Sequence, residues 1–307
     1  MVSVMRHKTR CLRWVCTVLV SDMLVVMHVR LCGRHPFLAR DFHLASTADG
    51  DLMIDARRLV FAGPLELAGV VAMAHAAATD GLGTIFRTAE DPNVTGYLQR
   101  MDVIRRMPTD AVIDGRLPVE RRTDLPAALL EVSPLSAGTG DDIATKLGRI
   151  ASANFDSKTY GKVFAGMGEL IDNAIDHGAS QEGAFVAAQV YSGATSGRRG
   201  LEVAICDTGI GVLAHLRRNP LHAGIPDSAD ALKRAFTPGV SGTSEDRGNG
   251  LSDLLSSLQF GGLARLHLRS GDGLATATVG RRRRVEHSHR TVTPIRGTWA
   301  WLRIRIP

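Results

Sequence analysis

Apolar and polar positions recur along this chain with two periods, and the changes of period mark its elements. Leu52-Met53-Ile54-Asp55 reads as a short buried strand. Phe61-Ala62-Gly63-Pro64 leads into the alanine-rich stretch Leu65–Thr79, with Pro64 suited to a helix start. Gly81-Leu82-Gly83 ends that helix, Thr84-Ile85-Phe86 reads as a second strand, and Asp91-Pro92 opens a helix through Tyr97, Leu98 and Met101. Strand, helix, strand, helix is an α/β pattern with a parallel pair. A second pattern follows. Ile143, Leu147 and Ile150 share a helical face, as do Val163, Met167, Leu170, Ile171 and Ala174 within a predicted helix Lys158–His177. Strands are predicted at Ala184–Tyr191, Leu201–Cys206, Leu263–Arg269, Ala275–Val279 and Thr298–Ile306. Further helices are predicted at Ala229–Phe236 and from Gly250. Helices ahead of adjacent strands predict an α+β sandwich with a mixed, largely antiparallel sheet.

These patterns divide the chain into a basic extension (1–40), an α/β unit (41–116), a connector (117–137) and a larger unit (138–307). The connector holds Pro118, Pro126 and Pro134 and an apolar patch at Leu125–Val132. No internal repeat is present.

Charge changes the picture only at one end. The net charge is +6, and residues 1–40 alone carry seven basic residues against Asp22, a balance of +6. The rest of the chain is near neutral, which argues against a nucleic-acid partner. The apolar run Trp14–Val20 is broken by Ser21-Asp22, short of the roughly 20 apolar residues that a membrane span needs. No small-residue cleavage site follows it. The expectation is an unstructured or mis-started N-terminus on a cytoplasmic protein. Cys11, Cys16, Cys32 and Cys206 show no paired spacing for zinc, and Cys206 reads as a small buried hydrophobe. Arg281–Arg284 reads as a solvated loop, with a phosphate- or partner-binding patch as the alternative.

Candidate chemistry lies in three pieces of the larger unit. Glu169, Asn173 and His177 recur at i, i+4 along one helical stripe that borders the apolar face, so Glu169 and Asn173 can face a cleft. Carboxylate and amide oxygens are ligands Mg²⁺ accepts. A solvated helix face is the other reading. Second, the strand ending Ile205-Cys206 runs into Asp207-Thr208-Gly209-Ile210-Gly211. An aspartate there can accept from an amino group, and glycines let backbone approach a flat ligand. Third, Gly248-Asn249-Gly250-Leu251 opens a helix, whose free N–H groups suit a phosphate. The small polar stretch Pro238–Arg247 before it reads as a mobile lid or as a plain surface loop.

In order and spacing, Glu-Leu-Ile-Asp-Asn-Ala-Ile-Asp-His-Gly, Asp-Thr-Gly-Ile-Gly and Gly-Asn-Gly-Leu together resemble the N, G1 and G2 boxes of the GHKL ATPases. That superfamily includes gyrase, the ninety-kilodalton chaperone, histidine kinases, MutL and anti-sigma-factor serine kinases. The closing Arg296-Gly297-Thr298-Trp299 strand resembles the family's last strand. The resemblance covers 138–307 and implies a two-layer α/β sandwich of the Bergerat type that binds ATP with Mg²⁺. It further implies that Asn173 holds Mg²⁺, Asp207 takes the adenine amine, Gly209 and Gly211 shape the adenine pocket, and Gly248, Gly250 and Leu251 belong to the phosphate-facing turn. Glu169 would be the general base.

Ile54-Asp55, Phe61–Leu65 and Tyr97–Met101 resemble a smaller STAS-like domain of the anti-sigma-antagonist type. The family's phosphorylatable serine is replaced by Ala62-Gly63-Pro64, so docking is the expected role. The expected function is a regulatory serine/threonine kinase or ATPase of the anti-sigma-factor type. Its protein partner would be a sigma-factor-type regulator or a STAS-domain protein, with a homodimer left open. A sensor histidine kinase and a non-catalytic ATP-dependent interaction module are the alternatives. Against the former, His75 lies on the alanine-rich helix without a phospho-acceptor setting.

Overall fold

The computed structural model describes residues 27–306 except for 33–35, 39–43, 46–49, 121, 178–182, 195–197, 243–249, 262–263 and 281–282. It is an α+β chain built on two five-stranded sheets. The elements of the first are β1 (Met27–Arg30), β2 (Leu44–Ala45), β3 (Leu52–Asp55), α1 (Pro64–Thr79), β4 (Thr84–Arg87), α2 (Pro92–Arg100), α3 (Val103–Arg106) and β5 (Val112–Asp114). Its strand order is β2-β1-β3-β4-β5. The last four run parallel and β2 antiparallel.

The second sheet takes β6 (Leu129–Leu135), β7 (Ala184–Tyr191), β8 (Gly200–Asp207), β9 (Ala264–Gly280) and β10 (Arg283–Arg305), in the order β6-β7-β8-β10-β9 and antiparallel at every pairing. Between these strands lie α4 (Gly140–Asn154), α5 (Ser157–His177), α6 (Gly211–Leu216), α7 (Ser228–Ala235) and α8 (Gly250–Gly261).

Strand alternation divides the second sheet's side chains between two cores. Val186, Ala188, Val203, Ile205, Leu268 and Leu302 pack with Ile143 and Leu147 of α4, Met167 and Ile171 of α5, and Leu254 and Leu258 of α8. The other face carries Phe185, Ala187, Ala204, Cys206, Trp299 and Trp301, and α1 covers it. Helix α1 therefore lies between two sheets. Its buried residues include Leu65, Leu67, Ala68, Val70, Val71, Ala72 and Ala74, which occupy its whole circumference rather than one stripe. A helix apolar all round is one with core on every side. At Gly69 the helix packs tightly against Trp299 of the second sheet. A Cβ there would sit 3.0 Å from the Trp299 ring and 3.1 Å from that of Phe37.

Four expectations need correction. The extension was expected to be unstructured to residue 40, but Met27–Arg30 pairs in parallel with Leu52–Asp55 inside the first sheet. Its end is thus structural, and residues 1–26, with Cys11, Cys16 and the apolar run, lie outside the described residues. The 117–137 connector contains β6. Pro134 is compatible with a strand there because β6 is an edge strand, with no neighbouring strand on its outer side. The predicted strands at 263–269 and 275–279 are one continuous strand, β9. It pairs with a longer β10 that starts at Arg283 inside the basic run. Arg284 is a half-buried strand residue that donates to the Phe236 carbonyl at 3.0 Å, while Arg281 and Arg282 lie outside the described residues.

Among the described residues no helix is long and apolar enough to cross a membrane.

Candidate functional site

The last turns of α5, the end of β8 and the start of α8 converge on one cavity of about 350 Å³. That is within the range of small-molecule sites, roughly 300–1,000 Å³. Glu169 and Asn173 reach it from α5, Asp207 and Gly211 from the end of β8 and the turn after it, and Leu251 from the first turn of α8. Ile205, Val212, Leu268 and Ala300 supply apolar wall. Three stretches of sequence separated by 30 or more residues thus meet at one place.

Asp207 is the most constrained group in it. Strand β8 is buried along its whole length and carries the carboxylate inward, to 5 % exposure. Its Oδ1 accepts the Gly209 N–H at 2.9 Å and the Thr298 N–H at 3.0 Å. Burial pushes its pKa up to about 6, against the downward pull of those two bonds. The net direction shows that the protein's own donors do not fully compensate the buried charge.

Glycine is required at two points around this carboxylate. Gly297 has φ +77°, and a Cβ there would fall 2.0 Å from the Asp207 carbonyl oxygen. Gly211 has φ +76°, and a Cβ there would fall 2.7 Å from Ser270 Oγ. Ser270 Oγ itself accepts the Val212 N–H at 2.9 Å and donates to the Gly297 carbonyl at 2.8 Å, stitching the turn to β9 and β10.

Glu169 is half-buried, and its pKa is raised by burial first and then by the nearby Asp172 and Asp253 carboxylates. Asp172, Asp176 and Asp253 line the same cavity. Among the described residues no group of three or more His, Cys, Asp or Glu side chains is arranged to hold a metal ion. A cation at Asn173 would therefore draw most of its ligands from a bound ligand and water, as Mg²⁺ commonly does.

The remaining site candidates fall as follows. Gly209 is not on the wall of this cavity. It lines a second space of about 270 Å³ on the far side of the turn, along with Ile210, Arg217 and Arg296. Gly250 opens α8. Gly248, the lid residues 243–247 and the side chain of His177 lie outside the described residues. Ser241 and Val240, from the described part of the 238–247 stretch, reach the cavity wall. Thr298 and Asp253 carried no role in the sequence reading. Thr298 was signalled by the Arg-Gly-Thr of the closing strand, whereas Asp253, in the first turn of α8, had no signal of its own.

No protein-family model matches the chain, and no curated protein matches it.

Proposed function

We propose that the larger unit binds Mg²⁺-ATP in the manner of the GHKL ATPases its motifs resemble, as a regulatory kinase or ATPase acting on a protein partner. The finer fold reading, a Bergerat-type sandwich, belongs to the same proposal. It is supported by helices α4, α5 and α8 on one face of an antiparallel sheet, with the cavity over the end of its central strand β8.

The observation that carries the reading is Asp207. A buried carboxylate with both backbone bonds on Oδ1, and a pKa pushed up by burial, gains from a ligand that brings one more donor. The exocyclic amine of adenine is such a donor. Guanine presents a carbonyl at the same position, and two acceptors would then face each other. The apolar wall of Ile205, Val212, Leu268 and Ala300 suits the faces of a flat base.

In this reading Asn173 holds the metal, and the N-terminus of α8 faces the phosphates. Bound Mg²⁺ would neutralise phosphate charge. Glu169 stands within the cavity with a raised pKa, which makes it a stronger base for a water or a substrate hydroxyl. His75 does not suit a phospho-acceptor. Its Nε2 meets the Arg106 carbonyl at 2.9 Å and its ring lies 4.7 Å from that of Phe185. The partner would be a sigma-factor-type regulator or a STAS-domain protein.

Binding and turnover separate in one experiment. Glu169→Ala should retain Mg²⁺-ATP affinity and lose turnover by at least about 100-fold, measured as phosphate release or transfer to a partner protein. If wild type binds ATP but gives neither, the non-catalytic module is the correct reading.

A further inference from the structure

We propose that Arg296 is a positioning residue for the Asp207–Gly211 turn and ties that turn to the first unit through Asp80. The proposal deepens the ATP-binding reading and rests on it for its affinity measurement alone.

The turn has open space on both sides. The 350 Å³ cavity touches Asp207 and Gly211, and the 270 Å³ space touches Gly209, Ile210 and Gly211. Asp207 and Thr208 are packed, but Gly209 and Ile210 are less buried, so hydrogen bonds bear more of the load at the tip of the turn. Two sets come from within the larger unit: Gly209 and Thr298 onto Asp207 Oδ1, and Val212 onto Ser270 Oγ. A third comes from Arg296, whose Nε donates to the Thr208 carbonyl at 3.1 Å. The same guanidinium reaches out of the unit, with Nη1 2.7 Å from Asp80 Oδ1.

Asp80 caps the C-terminus of α1, the helix that fills the gap between the two sheets. A carboxylate at the negative end of a helix is disfavoured, and a guanidinium beside it offsets that. A guanidinium is rigid and planar, so two of its donors hold their acceptors at a fixed separation. Thr208 is thereby held at a set distance from the end of α1. Three residues after Arg296, Trp299 packs on Gly69 of the same helix. The strand segment that supplies Gly297 and Thr298 to Asp207 is thus gripped from both ends by the first unit.

The Asp80 and Arg296 side chains are 59 % and 39 % exposed, and ion pairs at such exposure contribute little to global stability. The effect is therefore expected at the turn and not in the melting temperature. That difference separates a positioning role from a merely structural one.

The test is amide hydrogen exchange at Gly209 and Val212 in the full chain, for wild type, Arg296→Ala, Arg296→Lys and Asp80→Asn. Exchange should speed up about tenfold in Arg296→Ala and about threefold in Asp80→Asn, with melting temperature little changed. Arg296→Lys should not restore it, because one ammonium cannot span both acceptors. Affinity for adenosine, which lacks phosphates, should fall by the same factor as that for ATP, about fivefold in Arg296→Ala.

Unchanged exchange in both Arg296→Ala and Asp80→Asn overturns the proposal, whatever the nucleotide result. So does faster exchange without any loss of adenosine affinity in a protein whose wild type binds it. If wild type binds no adenine nucleotide, the ATP reading fails and exchange alone decides the role of Arg296. Asp80→Asn, at an exposed surface position, serves if Arg296→Ala does not fold.

Discussion

Asp207 is held in the folded chain with its proton bound more tightly than in the unfolded chain, its pKa moving from 3.8 to about 6. The contribution to stability is then fully present below pH 3.8 and is lost as pH rises through about 6. An asparagine copies the neutral form. Asp207→Asn should therefore be more stable than wild type at pH 8 without ligand, by on the order of 3 kcal/mol at most. The two should converge below pH 4, which thermal melts across pH would show. A variant less stable at pH 8 would mean that the carboxylate is better compensated than its burial implies. Ligand binding must favour the ionised form, so adenine-nucleotide binding near pH 6 should release protons. Calorimetry in buffers of different ionisation enthalpy reads this directly. Gly297→Ala places a methyl against the Asp207 carbonyl at a positive φ. It should cost at least about 2 kcal/mol and weaken nucleotide binding more than Gly81→Ala, whose Cβ meets nothing.

Among the elements, α1 shows how two sheets share one helix. Ala72 and Ala74 are fully buried. Ala72→Asp should destabilise the whole protein by several kcal/mol, since it buries an unpaired charge. A chemical denaturation curve would show this as a lower midpoint. Helices α4 and α5 were legible in the sequence because each is long enough for its apolar period to stand out, and α1 because an alanine-rich run lies between Pro64 and Gly81-Leu82-Gly83. The short strand β1 was not. Met27-His28-Val29-Arg30 alternates for only four residues within a basic stretch. Strand β6 was obscured by Pro134, which an edge position tolerates, and the far half of β10 by Pro294 and the basic run. There Thr291, Thr293 and Ile295 are buried while Val292, Pro294 and Arg296 face out, an alternation with few apolar residues to reveal it. Glu169, Asn173, Asp207, Gly211 and Leu251 could be picked out because their residue types and order form a motif. Asp253 could not, nor could the contacts that Arg296 and Thr298 of the closing Arg-Gly-Thr make. Their contacts depend on the β8–β10 pairing, the α5–α8 packing and the position of α1, all of which are set by tertiary structure.

At the scale of the molecule, the two units share one apolar core. Phe185, Ala187, Ala204, Cys206, Trp299 and Trp301 are buried against α1 and its neighbours. A fragment of residues 123–307 would expose that face. It is expected to aggregate or to melt well below the full chain, as light scattering and thermal melts would register. A fragment that is monomeric and as stable as the full chain would show that the first unit is dispensable for folding.

Under the proposed function the cavity beneath Asp207 reads adenine. The most direct test is equilibrium binding of ATP and GTP, with and without Mg²⁺, to wild type and Asp207→Asn. The expected result is Mg²⁺-dependent binding of ATP in preference to GTP by wild type. Asp207→Asn should weaken ATP binding by about 30-fold or more, the loss of a hydrogen bond to a charged group. ATP affinity unchanged in Asp207→Asn, or no ATP binding by wild type, would contradict it.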